Sequence, residues 1–146
     1  MSKARWSNCC GACCPDCIEM DPLISAALQA RENAHAPFSK IKVGAAIEDE
    51  DGRIHTGCNV ENATYGLTVC AERVAVFKAI SEGARGFRRV AVVADTETLT
   101  PPCGACRQIL WEFCGDIEIV LANLSGKSEA LRLGELFPRP FDSSFI

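Results

Sequence analysis

The chain has 146 residues, 48% of them hydrophobic, 23% charged and 7% aromatic, with a net charge of −4. That length suits one domain with its own core, and no apolar run approaches the roughly 18 residues that cross a bilayer, so no membrane partner is expected. The acidic balance lacks the basic footprint of a protein that grips a phosphate backbone, so no nucleic-acid partner is expected either.

In chain order, Met1 to Asn8 carries Lys3 and Arg5 with no apolar stretch behind them. No signal peptide is read there, and the expected location is the cytoplasm. In that compartment ten cysteines point to metal rather than to disulfides. Five of them, Cys9, Cys10, Cys13, Cys14 and Cys17, crowd residues 1–19, which read as a polar, poorly ordered extension. Its two Cys-x-x-Cys pairs make a second metal site one reading, and a tail that binds metal opportunistically the other. Residues 20–146 read as the folded domain.

Asp21 caps a helix with Pro22 at its first position, and Leu23, Ala26, Ala27 and Ala30 follow at helical spacing. That helix ends before Pro37. Residues 42–48 and 53–58 read as two strands joined by a turn at Asp51-Gly52. A helix is predicted over 70–80 with Gly83 as its stop, then a strand over 90–94. Another helix spans 104–114 and another strand 117–121. After Lys127 come a last strand and a short helix before Pro138. Strands alternating with helices imply an α/β layer fold, and a hairpin followed by crossover helices implies a mixed sheet.

Two segments concentrate chemistry. Thr68-Val69-Cys70-Ala71-Glu72-Arg73 and Pro101-Pro102-Cys103-Gly104-Ala105-Cys106-Arg107 both place cysteines where a helix begins. Unpaired N–H groups at such an end favour the thiolate. Cys103 and Cys106 can share one ion, and Cys70 can add a third sulfur. Three protein ligands leave a tetrahedral position for water, the arrangement of a catalytic zinc. Glu72 sits close enough to move that water's protons without being a ligand. Arg73 can offset the net negative charge of three thiolates around a divalent ion by donating to sulfur, and Arg107 is a second candidate. Arg73 also reads as a plain solvated helix residue. Cys58 and Cys114 read as core, and His35 and His55 as surface or satisfied side chains.

With Gly57-Cys58-Asn59-Val60-Glu61-Asn62-Ala63, Cys70-Ala71-Glu72 and Pro102-Cys103-Gly104-Ala105-Cys106 in this order, the chain resembles the small homotetrameric cytidine deaminases of the three-cysteine zinc type. The resemblance runs over about residues 21–141. It implies a three-layer α-β-α fold and one zinc per chain, held by Cys70, Cys103 and Cys106. It further implies hydrolytic deamination of cytidine or deoxycytidine in pyrimidine salvage, with Glu72 as the proton shuttle. Asn59 and Glu61 would bind the ribose 3′-hydroxyl, Ile41 and Ala71 would lie at the pyrimidine, and Phe141 would reach a neighbouring subunit's pocket. Asn59 and Glu61 read otherwise as a polar loop, and Phe141 as packed within its own subunit. Where the family carries Phe, this chain has Ile41, so weaker pyrimidine binding is expected unless Phe38 compensates. A deaminase of a related nucleoside or base analogue is the alternative. A non-catalytic module, its zinc closed by a fourth ligand such as Cys58, is another.

Overall fold

The Asp21 carboxylate accepts the Leu23 N–H at 2.9 Å and, with Pro22 next in line, starts helix α1, Pro22–Arg31. In the computed structural model residues 20–146 are described. The extension and second metal site expected in residues 1–19 lie outside the described residues. Strands β1, Val43–Asp49, and β2, Ile54–Cys58, form the hairpin read from Asp51-Gly52. The Asp49 carboxylate accepts the N–H groups of Asp51 and Arg53, both at 3.0 Å, and Gly52 takes a φ of +81° that favours glycine.

Helix α2 is Ala71–Ser81, β3 is Phe87–Ala94, α3 is Gly104–Cys114 and β4 is Glu118–Asn123. Strand β5, Ser128–Arg132, and a single turn, α4, Leu133–Leu136, complete the order. Strand β3 begins three residues before the apolar run that announced it. Arg89 interrupts the hydrophobic pattern, yet it lies in the sheet because Glu48 of β1 accepts its Nε at 2.6 Å and Asp21 holds the other arm of its guanidinium.

The sheet order is β2-β1-β3-β4-β5. β3 and β4 run parallel and the other three pairs antiparallel, so the sheet is mixed as expected. A parallel pair needs a crossover, and α3 supplies it. Alternate residues of the central strands serve opposite faces. Ala46, Ala91, Val93, Val120 and Ala122 pack under Leu23, Ile24 and Ala27 of α1. Ala45, Ile47, Val90, Val92, Ile119 and Leu121 pack under α2 and α3, with Ala75, Val76, Ala79 and Leu110. The result is three layers, α-β-α.

Two glycines set the helix heights. A Cβ on Gly44 would lie 2.0 Å from the Ala27 carbonyl oxygen of α1, and one on Gly57 2.5 Å from the Ala71 carbonyl oxygen of α2. Both helices therefore sit closer to the sheet than any side chain at those positions permits. Gly57 thereby sets the depth of the α2 amino end, which carries Cys70 and Glu72. Among the described residues, no helix is long and apolar enough to cross a membrane.

Candidate active site

Cys70 and Cys103 are the N-cap residues of α2 and α3, and Cys106 lies in the first turn of α3. Packing of the two helices on one face of the sheet brings their amino ends together. The Cys70 and Cys103 sulfurs are 3.9 Å apart, and all three sulfurs lie within 4.8 Å of one another. Sulfurs at about 2.3 Å from one tetrahedral ion would be about 3.8 Å apart, so this donor set suits zinc in both chemistry and spacing. Cys106 is buried and Cys103 exposed, so the cluster opens to solvent on one side. Cys58 is not in the cluster, which leaves it at three ligands among the described residues.

The electrostatics favour the thiolate at Cys70. Hydrogen bonding from the Cys106 thiol, helped by Arg73, draws Cys70 down to about 5. In return, the Cys70 partner pushes Cys106 well above the usual thiol range. Arg73 Nη2 donates to Cys70 Sγ at 3.4 Å and to the Thr68 carbonyl at 3.2 Å. Glu72 is 5% exposed, and burial, reinforced by the Cys70 thiolate, pushes its carboxyl up to about 7. A carboxyl poised near neutrality both takes and returns a proton at working pH.

Arg107 goes elsewhere. Its Nε donates to the Pro102 carbonyl at 2.8 Å and its Nη1 to the Leu136 carbonyl at 2.7 Å. Side chains lean toward a helix's amino end, where the Pro102 carbonyl is in reach, so Arg107 ties the loop before α3 to α4. Arg73 makes the guanidinium contact to sulfur, and the bonds of Arg107, the second candidate for it, go to backbone carbonyls.

A second group of candidates lines up along residues 59–61. Val60 exchanges backbone hydrogen bonds with Val69, at 2.9 and 3.0 Å. On the other side the His35 N–H donates to the Asn59 carbonyl and the Glu61 N–H to the His35 carbonyl. These bridges hold the Asn59–Glu61 segment beside the residue that precedes Cys70. Asn59 Oδ1 accepts the Val43 N–H and its Nδ2 donates to the Ile41 carbonyl, both at 2.8 Å. Glu61 accepts the Phe38 N–H at 2.8 Å, the Ser39 N–H at 3.2 Å and the Ser39 hydroxyl. That hydroxyl, with the backbone donors, holds the Glu61 carboxyl below its usual range. Both side chains thus hold their own chain first, which spacing alone does not reveal.

Ile41 is 52% exposed, whereas Ala71, the first residue of α2, is buried. Phe38 is half exposed and meets Tyr65 edge to face at 6.2 Å. Phe141 is 59% exposed and stacks on Phe145, with its carbonyl accepting Gln108 Nε2 at 2.7 Å. Cys58 is half-buried at the end of β2. Cys114 packs at the margin of the core, where burial pushes its thiol up to about 12. His35 is exposed and bridges to Val60, the residue before Glu61. His55 is buried and satisfied, by Asp49 at 2.9 Å and Glu82 at 2.6 Å.

The family model described as the cytidine and deoxycytidylate deaminase zinc-binding region matches residues 19–122. The chain belongs to this deaminase family. Cytidine deaminase of Sporosarcina psychrophila is 50% identical over 125 residues, covering 85% of this chain and 92% of that protein. That of Halalkalibacterium halodurans is 52% identical, covering 85% and 95%. A crystal structure of cytidine deaminase from Burkholderia pseudomallei is similar to this deaminase fold with a TM-score of 0.79 at 48% identity, covering 82% of this chain and 96% of that one. The matched residues 19–122 include both cysteine-bearing helices.

Proposed function

We infer that this chain is a hydrolase that removes the 4-amino group of cytidine or deoxycytidine, giving the uridine and ammonia. One observation carries the reading: Glu72, a buried carboxyl poised near neutrality, stands at the helix end that completes a three-sulfur cluster. Cys70, Cys103 and Cys106 would hold one zinc per chain. Zinc bound there would act as a Lewis acid that makes a hydroxide nucleophile available near neutral pH.

Glu72 carries the protons. It takes one from the attacking water and gives it to N3 of the ring as the oxygen bonds to C4. It then takes the second proton, from the new C4 hydroxyl, and delivers it to the 4-amino nitrogen; the C4–N bond breaks as C4=O forms, and ammonia leaves. Arg73 holds the Cys70 sulfur in place from within its own helix. Glu61 and Asn59 orient the ribose 3′-hydroxyl, since each retains acceptor capacity beyond its internal bonds. Ile41 and Ala71 flank the pyrimidine. The exposed Phe141 reaches a neighbouring subunit's pocket in a homotetramer, and the reaction serves pyrimidine salvage in the cytoplasm.

The test is loss of the cytosine absorbance on mixing purified protein with cytidine, with zinc counted per chain. Wild type turns over with about one zinc, and Glu72→Gln keeps the zinc while losing roughly 10²–10⁴-fold in rate. Full activity in Glu72→Gln would remove Glu72 from the mechanism. Zinc without turnover in wild type would transfer the reading to a modified base or nucleoside.

A further inference from the structure

The turn between α1 and β1 is tied to the substrate-facing loop through one hydroxyl. The Lys40 N–H closes this turn onto the Ala36 carbonyl at 3.1 Å, and Lys40 itself takes a φ of +62°. A lysine in the left-handed region is strained, so the neighbouring bonds must hold the conformation. They converge on Ser39. Its backbone N–H and its hydroxyl both donate to the Glu61 carboxylate, and its hydroxyl oxygen accepts the Ile41 N–H at 3.0 Å.

A serine hydroxyl has one proton to give and lone pairs to receive. Here the proton goes to Glu61 and a lone pair takes Ile41, so the direction of the chain is set. The other end of residue 41 is also held, because Asn59 Nδ2 donates to the Ile41 carbonyl at 2.8 Å. Glu61, Ser39, Ile41 and Asn59 therefore form a continuous hydrogen-bonded path. Among the described residues, the Ser39 side chain is the link in it between Glu61 and Ile41.

We propose that Ser39 is a positioning residue for nucleoside recognition: its hydroxyl sets the Glu61 carboxylate on the ribose and fixes Ile41 at the base. The proposal rests on the reading of Glu61 and Ile41 as substrate-facing. A carboxylate offers about four acceptor positions, and the Phe38 N–H, Ser39 N–H and Ser39 hydroxyl occupy three. The remaining one faces a single direction only while the hydroxyl is present. Without it Glu61 keeps only its two backbone donors, on one oxygen in the main, and Ile41 loses its amide anchor. Ser39 touches neither the sulfur cluster nor Glu72 through any of these bonds, so its loss falls on binding more than on the chemical step.

The experiment compares cytidine with 3′-deoxycytidine in wild type, Ser39→Ala, Ser39→Thr and Glu61→Gln, each with zinc content and unfolding midpoint recorded. Ser39→Ala should raise KM for cytidine about tenfold while kcat falls less than threefold, the size expected when a charge-assisted hydrogen bond is lost from a binding network. It should also shrink the preference for cytidine over 3′-deoxycytidine, and Ser39→Thr, which keeps the hydroxyl, should restore both. A merely structural role would lower the unfolding midpoint without moving that preference. Should Ser39→Ala fail to fold, Ser39→Cys, with a similar shape and a weaker donor, carries the same comparison. If Glu61→Gln loses the preference and Ser39→Ala keeps it with an unchanged KM, the proposal is overturned and the reading of Glu61 stands. If Glu61→Gln itself keeps the preference, both fall together.

Discussion

Arg73 and Cys70 lie three residues apart on one turn of α2, and the guanidinium Nη2 donates to the cysteine sulfur at 3.4 Å. The same nitrogen reaches the Thr68 carbonyl, so Arg73 braces the loop that leads into the helix as well as the sulfur at its start. Three thiolates on a divalent ion would carry a net negative charge, and we propose that Arg73 offsets it through this contact. In Arg73→Ala, zinc should be lost to a competing chelator, with affinity down by ~10–100-fold, the range for a ligand that loses its supporting hydrogen bond. A chromogenic chelator titration reads this directly. Equal zinc affinity in the variant and wild type would mean that the helix end alone stabilises the cluster.

Ile41 leaves an aliphatic edge, half exposed, at the position proposed to flank the pyrimidine. Ile41→Phe should lower KM for cytidine by roughly two- to tenfold, because an aromatic pair adds about 0.5–1.5 kcal/mol beyond its area. Steady-state kinetics on both proteins gives the answer. An unchanged KM would assign the ring contact to another side chain, with Phe38 the nearest in sequence.

Gly57 allows the amino end of α2 to rest on β2. A methyl group there meets the Ala71 carbonyl oxygen and the Ala75 nitrogen, each at 2.5 Å, and both belong to helix backbone that cannot swing away. Gly57→Ala should destabilise the fold by about 1–3 kcal/mol, the usual cost of overpacking. Activity should fall further than stability explains, since the displaced turn carries Cys70 and Glu72. Urea unfolding and kcat measured under fully folded conditions separate the two effects. A variant as active as wild type would show that α2 shifts without disturbing the cluster.

Asp49 binds His55, Arg53 and the turn backbone at once, and the His55 hydrogen bond, aided by Arg53, draws its carboxyl from 3.8 down to about 2. A carboxylate with a lowered folded pKa binds fewer protons when folded than when unfolded. Its contribution is therefore present above about pH 4 and is lost as pH falls toward 2. Asp49→Asn should unfold at lower urea than wild type at pH 6, with the gap narrowing as the pH approaches 2. A gap of constant size across that range would mean that the substitution acts through packing rather than charge.

Much of the site was legible in the sequence because its parts are local. Cys103 and Cys106 are one helical turn apart, Glu72 is two residues from Cys70, and helix ends carry their own signals. Glycine, proline and Asp21 marked turns and caps for reasons internal to a few residues, so the order of helices and strands followed from period and punctuation. The start of β3 was missed because Arg89 breaks the apolar run, and its partners Glu48 and Asp21 are distant in sequence.

By itself, then, the sequence determined which residue types lie at which helix ends, where the chain turns, and that the strands have two apolar faces. The tertiary structure decided what meets what. It brought the amino ends of α2 and α3 together, selected Arg73 over Arg107 for the sulfur, and joined Ser39 to Glu61 across 22 residues of chain. It also buried His55 between Asp49 and Glu82. The reason is physical: backbone period and capping act over a few residues, whereas side-chain partners depend on which distant surfaces are packed together.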